Sequence, residues 1–138
     1  MVFLLDPTLE KDSFFVCALP LCQVRLMDNA LFPWLILIPK IAGAVELTDL
    51  EGAQQQELWR EINLAARALQ QEFTPHKLNI AMLGNIVRQL HVHVIARFQN
   101  DAAWPKPVWG GASSAYEPAA AQGMIARLGI NFQNITKM

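Results

Sequence analysis

Gln89-Leu90-His91-Val92-His93-Val94-Ile95 is the stretch that decides the fold of this chain, because polar and apolar residues alternate along it from Gln89 to Val94. In a β-strand, side chains two positions apart point to the same face. The pattern therefore predicts a strand on which Gln89, His91 and His93 form a row on one face. The residues predicted to face the core are Leu90, Val92, Val94 and Ala96.

Three explanations of this row are open from the residues alone. A strand with one solvated face shows the same alternation, which is the usual pattern of antiparallel sheets. Histidines two positions apart can share a metal ion, but zinc takes four ligands, or three and a water. The other candidates, His76, Cys17 and Cys22, lie in distant segments without C-x-x-C or H-E-x-x-H spacing, so no metal site is predicted. The third explanation is nucleophilic catalysis, in which a neutral imidazole attacks an electrophile and its neighbours orient it.

The residues immediately before the row give it a context. They read Gly84-Asn85-Ile86-Val87-Arg88. Together with the row they resemble the signature of the histidine triad family of nucleotide hydrolases and transferases. That signature is His-φ-His-φ-His-φ-φ, with φ apolar, preceded by Gly-Gln-[Ser/Thr]-Val-x. Gly84, Asn85 and Val87 fall on the glycine, the glutamine and the valine of the preceding run.

His91 and His93 match the second and third histidines of the signature, and Gln89 occupies the place of the first. The resemblance implies that His91 is the nucleophile, which attacks the α-phosphorus of a nucleotide derivative and forms a nucleotidyl-imidazole intermediate. His93 in its protonated form and the side-chain amides of Asn85 and Gln89 would stabilise the charge on the phosphoryl oxygens. Because Gln89 cannot become a cation or carry a proton, its presence is expected to affect the leaving group more than the attack.

Two upstream segments fit the same register. Trp34-Leu-Ile-Leu-Ile-Pro39-Lys40 resembles the central strand of the family. Arg25-Leu-Met-Asp28-Asn29 resembles the preceding strand, which ends in a residue that contacts the nucleotide ribose. The resemblance, which extends from Phe14 to Trp109, implies that Asp28 or Asn29 binds ribose hydroxyls.

Downstream residues extend the resemblance to the end of the sheet. Arg97 stands where the family often has a basic residue, so it is expected to meet a phosphate, although an arginine at a strand end more often pairs with a carboxylate. Trp104-Pro105 resembles a Trp-Pro pair of some members. The segment from Trp104 to Trp109 is either rigid surface packing or a segment that reaches the active site of a partner subunit.

The function that the resemblance implies is hydrolysis or nucleotidyl transfer in a homodimer, with a dinucleoside polyphosphate or a nucleoside phosphoramidate as substrate and without a cofactor. A non-catalytic nucleotide sensor on the same fold is an alternative, because Gln89 replaces a histidine of the signature. A metal-binding or purely structural dimer is the third class.

Composition limits the other classes of protein. The chain has 138 residues, enough for one domain over residues 1–138, and a domain of this size buries about 68–70% of the surface of its unfolded chain. A formal net charge of −1 argues against general affinity for nucleic acids or anionic membranes, which requires a basic patch. The apolar run from Leu31 to Ile38 is interrupted by Pro33 and is far shorter than the ~20 residues of a membrane span.

Two further features indicate a cytoplasmic protein. The N-terminal Met-Val-Phe-Leu-Leu-Asp-Pro has no basic region and soon meets acidic residues, so it does not resemble a signal peptide. Two cysteines are too few for a disulfide framework. Cys17 and Cys22 are therefore expected to be reduced.

The order of predicted elements gives the fold class. A short helix from Asp6 is followed by a succession of strands, interrupted by one long helix, and a last helix closes the chain. The predicted strands are Phe14–Leu19, Gln23–Met27, Trp34–Ile38, Lys77–Leu83 and Val87–Phe98. This order predicts an α+β fold with an antiparallel sheet of about five strands, one long helix and a C-terminal helix, as in histidine triad proteins.

The two main helices have recognisable ends. Thr48-Asp-Leu-Glu51 has the form of a capping box and predicts a helix to about Phe73, whose apolar stripe includes Leu58, Ile62 and Leu69. Glu61 is predicted to lie on its polar side. The last helix is predicted from Glu117 to Leu128, with Gly129 as its C-cap.

Overall fold

The central strand of the sheet is a run of six apolar residues that is buried along its whole length. In the computed structural model, which describes residues 1–137, this strand, β3, comprises Trp34–Pro39. It pairs with a strand on either side, and Ile36 lies opposite Arg25 on one neighbour and His93 on the other. The predicted strand Trp34–Ile38 is confirmed, and it is covered on both faces.

The sheet has five antiparallel strands, as predicted, in the order β1-β2-β3-β5-β4. Three α-helices accompany it, and a short 3₁₀ helix, Leu47–Asp49, precedes the longest of them. The α+β class is therefore confirmed. The other strands are β1 Ser13–Ala18, β2 Cys22–Met27, β4 Lys77–Ala81 and β5 Val92–Arg97, and the helices are α1 Pro7–Lys11, α2 Gly52–Phe73 and α3 Pro118–Thr136.

Strand β5 is shorter than the alternation predicted. It begins at Val92, so Gln89 and His91 lie in the loop that precedes it. The predicted row of three polar residues on one strand is therefore wrong, and only His93 belongs to the strand. The apolar half of the pattern is confirmed, because the main core contains all four of its members, Leu90, Val92, Val94 and Ala96.

The other face of β5 is buried as well, which the alternation did not predict. A second apolar cluster lies there, built around Phe32, Trp34 and Ile95. The N-terminal segment contributes Phe3 and Leu5 to this cluster, and Trp109 packs against it. The histidine face of the sheet is thus partly covered by the N-terminal segment and by Trp109.

Helix α2 packs on the main core through Leu58, Ile62, Ala65 and Leu69. The predicted capping box of Thr48 and Glu51 is wrong, because Thr48 belongs to the 3₁₀ helix. Glu51 is itself the N-cap, and its backbone N–H donates to Oε1 of Gln54 at 2.8 Å. The same chemistry therefore operates three residues further along the chain.

Glu61 was predicted to face solvent, and this prediction is also wrong. Its side chain is fully buried. The two carboxylate oxygens accept from the backbone N–H groups of Leu21 at 2.8 Å and Cys22 at 2.7 Å. A buried carboxylate needs such partners, and here they come from the turn between β1 and β2.

Helix α3 extends past its predicted end. It continues to Thr136, and Gly129 lies inside it and not at its C-cap. Leu128, Phe132 and Ile135 are buried in the main core. Their packing outweighs the cost of an interior glycine, which is about 1 kcal/mol relative to alanine.

Candidate active site

An apolar cavity of about 390 Å³ opens where the chain enters β5. Its lining includes His91 and His93, together with Trp34 from β3 and Trp109 from the segment before α3. Helix α1 and the end of β2 supply further walls, and the loop from Leu83 to Val87 completes the lining. The structure therefore brings the two histidines of the sequence pattern into one cavity.

The His91 ring is held by a single contact to the backbone. Its Nδ1 lies 2.6 Å from the carbonyl oxygen of Gln89. Because a carbonyl oxygen can only accept, Nδ1 carries the proton, and the neutral ring then has its lone pair on Nε2. The side chain is buried and lines the cavity, so this lone pair belongs to an oriented and largely desolvated imidazole.

Gly84 is required where the loop passes the His91 ring. A Cβ at this position would lie 2.7 Å from the carbonyl oxygen of Val87 and 3.2 Å from Cε1 of His91. Any side chain would therefore displace either the loop or the nucleophile candidate. In the sequence, Gly84 is recognisable only through the family signature, and this close approach is the physical reason for a glycine here.

His93 is fixed in one neutral form by two partners. The indole N–H of Trp34 donates to Nδ1 at 3.0 Å, and Nε2 lies 2.9 Å from the carbonyl oxygen of Leu83. Since the indole can only donate and the carbonyl can only accept, Nδ1 is unprotonated and Nε2 carries the proton. A second proton on the ring would point at the Trp34 N–H.

The expectation of a protonated His93 is therefore wrong. Burial lowers the pKa of His93 to about 4, and the neighbouring His91 acts in the same direction. The hydrogen bond to Leu83 opposes this effect but does not overcome it. His93 instead holds the loop that carries Gly84 and Asn85, and its ring packs edge-on against His91, with 4.8 Å between the ring centroids.

Gln89 lies close to the nucleophile candidate, but its side-chain amide is engaged elsewhere. Its Oε1 accepts from the backbone N–H of Asp6 at 2.9 Å, and its Nε2 donates to the carbonyl oxygen of Leu4 at 2.8 Å. Only the backbone carbonyl of Gln89 faces His91. The amide thus fastens the N-terminal segment beside the site.

A second groove, of about 400 Å³, contains the predicted ribose-binding residues Asp28 and Asn29. It shares Asp12, Met27 and Trp34 with the apolar cavity, so the two are adjoining parts of one cleft. One Asp28 oxygen accepts from the N–H of Tyr116 at 2.8 Å, and Asn29 is buried with its Oδ1 accepting from Leu31.

Arg97, the predicted phosphate ligand, does not line any of these cavities. Its guanidinium is almost fully buried and forms a two-point ion pair with Asp101, at 2.8 and 3.1 Å. A third bond, of 2.8 Å, goes to Oδ1 of Asn79. The ion pair holds the pKa of Asp101 well below its usual range. The alternative that the sequence left open, pairing with a carboxylate, is what the structure has.

The segment from Trp104 to Trp109 packs against its own chain. Trp109 is edge-on to both Trp34 and His93, with centroid distances of 5.7 and 5.0 Å. Trp104 is edge-on to His76 at 5.2 Å. Trp109 therefore forms a wall of the chain's own cavity, and Trp104 lies at the far end of the sheet with Arg97.

A polar cavity of about 320 Å³ adjoins the apolar cavity at His91. It shares Gly84, Asn85 and His91 with the apolar cavity. Glu46 and Arg88 bring one charge of each sign to its lining. Neither residue was predicted to belong to the site, since neither is part of the alternating pattern.

Metal ligands and membrane-spanning helices are the two other features that would define a class of site. Within residues 1–137, histidine, cysteine, aspartate and glutamate side chains do not converge in groups of three that could hold a metal ion. Cys17 and Cys22 are free thiols. Among the described helices, none combines the length and apolar character needed to cross a membrane.

Comparison with known proteins identifies the family. The model of the HIT domain matches residues 8–100. The chain therefore belongs to the histidine triad family, whose members are commonly nucleotide hydrolases or transferases. No curated protein matches the chain.

Three histidine triad proteins of known structure are similar over nearly the whole chain. The protein from Sinorhizobium meliloti is 45% identical, with a TM-score of 0.91, and the match covers 94% of this chain and 96% of that one. The protein from Bradyrhizobium japonicum is 42% identical with a TM-score of 0.93, covering 96% and 99%. The protein from Marinobacter aquaeolei is 36% identical with a TM-score of 0.93, covering 97% and 98%.

Proposed function

We propose that this protein is a nucleotide hydrolase or nucleotidyl transferase that acts at an α-phosphorus through a nucleotidyl intermediate on His91. The observation that carries the proposal is the orientation of the His91 ring. The Gln89 carbonyl holds the Nδ1 proton at 2.6 Å, so the Nε2 lone pair is available in a cavity large enough for a nucleoside.

The reaction has two steps. The Nε2 lone pair of His91 attacks the α-phosphorus, an N–P bond forms, and the bond from phosphorus to the leaving group breaks with its electron pair on the leaving group. Water or another acceptor then attacks the same phosphorus, gives up a proton, and the N–P electron pair returns to Nε2. A neutral imidazole suits the attack because it needs no prior deprotonation.

Residues around His91 would bind the base, the ribose and the phosphate of the substrate. The apolar cavity would take the base, between Met27 and the indole of Trp34. Asp28 and Asn29 would bind ribose hydroxyls in the adjoining groove. The amide of Asn85 lies in the lining shared by the two cavities that meet at His91 and is our candidate donor to the phosphoryl oxygens.

Trapping of the intermediate tests the proposal. Protein mixed with an α-labelled adenine nucleotide substrate and quenched without acid should carry label, and His91→Ala should carry none. His76→Ala is the matched control, since His76 lies against Trp104 outside the cavity; it should label like the parent. Label that persists on His91→Ala would refute the assignment.

A nucleotide sensor without turnover is the second candidate. It is favoured by the Gln89 side chain, whose amide is bound to Leu4 and Asp6 and takes no part in the cavity chemistry. Tight binding of a nucleotide in a titration, together with absence of label on His91 and of product, would support the sensor against the enzyme.

We also propose that the protein forms a homodimer through the edge of its sheet. Strand β4 is an outer strand, paired only with β5. Ile80 on this strand is 45% exposed, and Met82, which follows the strand directly, is 39% exposed. An open strand edge beside exposed apolar side chains favours pairing with another strand.

A further inference from the structure

His91 lies between two cavities of opposite character, and this arrangement bears on the leaving group. The larger one is apolar, and the smaller one is lined by Glu46, Asn85 and Arg88. Before the attack of His91, the α-phosphorus carries the nucleoside through one bridging atom and the leaving group through another. When the nucleoside fills the apolar cavity, the polar cavity is the space left for the leaving group.

Neither His93 nor Gln89, the two neighbours of His91 in the sequence pattern, is placed to protonate that leaving group. His93 is neutral, and its Nε2 proton is bound to the Leu83 carbonyl. The Gln89 amide is not acidic enough to give up a proton at neutral pH, and it is bound to the N-terminal segment. A leaving group that departs as a stable anion needs no such donor, whereas an amine does.

Arg88 supplies a positive charge in the polar cavity. The three ion pairs within residues 1–137 involve Arg60, Arg97 and Arg127, so none of them engages the Arg88 guanidinium. Arginine binds phosphate oxygens well because its planar fork presents several donors. Glu46 lines the same cavity with a negative charge, which opposes an anion there.

We propose that the polar cavity is the leaving-group site, that it takes a phosphate chain, and that Arg88 binds it. The substrate class is then a nucleotide joined through its α-phosphate to further phosphates, as in a dinucleoside polyphosphate, and not a nucleoside phosphoramidate. This inference rests on the proposed attack by His91 and names the substrate of that same site. On attack, the bond from the α-phosphorus to the bridging oxygen breaks, and the phosphate chain leaves with the electron pair as an anion.

Three adenylyl substrates separate the two parts of this proposal. Diadenosine tetraphosphate has an anionic phosphate leaving group, adenosine phosphoramidate an amine, and the p-nitrophenyl ester of AMP an anionic leaving group without phosphate. Without a general acid, whose contribution is about 10²–10⁴-fold, the parent should have a kcat/KM for each anionic leaving group at least about a hundredfold above that for the phosphoramidate. Equal or faster turnover of the phosphoramidate would overturn the proposal.

Variants of the two charged residues test the assignment of the cavity. Arg88→Ala should lower the ratio of kcat/KM for the tetraphosphate to that for the p-nitrophenyl ester by about tenfold, as expected for loss of a charged hydrogen bond. Arg88→Lys should restore part of the ratio, and Glu46→Gln should raise it. Arg67→Ala, an exposed arginine on α2, is the matched control and should leave all three substrates unchanged.

The outcomes distinguish this proposal from the one on which it rests. If His91 takes label from the substrates but Arg88→Ala lowers tetraphosphate and ester turnover equally, the leaving-group site is wrong and the nucleotidyl intermediate stands. If no substrate labels His91, the proposed function fails and the leaving-group assignment fails with it.

Discussion

Gln89 contacts both the N-terminal segment and His91, the nucleophile candidate. Its side chain binds the backbone of Leu4 and Asp6, and its carbonyl binds the His91 ring. Replacing the amide with a methyl group removes two hydrogen bonds, each of which contributes about 0.5–1.5 kcal/mol. We expect Gln89→Ala to lower the free energy of unfolding by about 1–2 kcal/mol, near the lower part of that sum because the residue is only half-buried.

Urea denaturation measures this effect directly. The matched control is Gln71→Ala, which removes an exposed glutamine from α2 and should change the stability by no more than about 0.5 kcal/mol. Equal free energies of unfolding for Gln89→Ala and Gln71→Ala would show that the two hydrogen bonds to the N-terminal segment contribute nothing to stability. The role of Gln89 would then be confined to its contact with the His91 ring.

At the scale of elements, α2 is joined to the turn between β1 and β2 by a carboxylate whose charge depends on pH. Burial raises the pKa of Glu61 to about 7, and a hydrogen bond with Glu57 acts in the same direction, while the amides of Leu21 and Cys22 oppose them. Between its ordinary pKa of 4.5 and about 7, the folded protein keeps a proton that the unfolded chain has lost. The contribution of Glu61 to stability is therefore full below pH 4.5 and declines as the pH rises to about 7.

The pKa shift of His93 changes the stability in the opposite direction, over an overlapping pH range. Its lowered pKa, about 4 against an ordinary value of 6.5, means that the unfolded chain binds the proton first as the pH falls. The stability that depends on neutral His93 is therefore present above pH 6.5 and is lost as the pH falls to about 4. The two effects oppose each other between pH 4.5 and 6.5, so the stability of the parent alone does not reveal either.

A variant isolates the contribution of Glu61. Glu61→Gln removes the titration and gives the two backbone N–H groups one carbonyl oxygen in place of two acceptors. We expect it to destabilise the protein at both pH 5 and pH 8, and by a larger amount at pH 5, where the parent still has its favourable protonated form. Urea denaturation at the two pH values is the measurement, with Glu117→Gln on the surface as the control. A destabilisation that is greater at pH 8 would contradict the raised pKa.

The elements that the sequence predicts well are those set by local pattern. The apolar run of β3 and the core-facing residues of β5 follow from periodicity alone. The residue at which β5 begins does not follow from periodicity. The conformation before Val92 depends on contacts with distant residues, such as the hydrogen bond between Gln89 and Asp6, 83 positions away. Glu61 was placed on the wrong side of α2 for the same reason, since its partner Leu21 is 40 positions away.

In the candidate site, too, local pattern is predictable from the sequence and long-range contacts are not. The two histidines, Asp28 and Asn29 were identified from the sequence and lie in one cleft. The protonation of His93 was not predictable, because the indole of Trp34 that fixes it lies 59 positions away. Arg97 was assigned to a phosphate because its position in the chain says nothing about Asp101, the carboxylate that it binds four residues later.

At the scale of the whole molecule, the two outer strands of the sheet differ in a way that allows the proposed dimer to be tested. Both edges carry an exposed apolar residue, Ile80 on β4 and Phe15 on β1. Of the two edges, as described over residues 1–137, the β4 edge is the one that continues into an exposed apolar loop, where Ile86 is 96% exposed. We therefore expect association through β4, which would place two copies of the His91 loop near the same interface.

Sedimentation at micromolar concentration should give twice the mass of the 15.4 kDa chain. Ile80→Asp should shift the protein to the monomer, because a buried unpaired charge is costly at an interface, and Phe15→Asp should remain dimeric. A parent that sediments as a monomer, or a dimer that dissociates with Phe15→Asp and not with Ile80→Asp, would exclude the β4 edge as the interface.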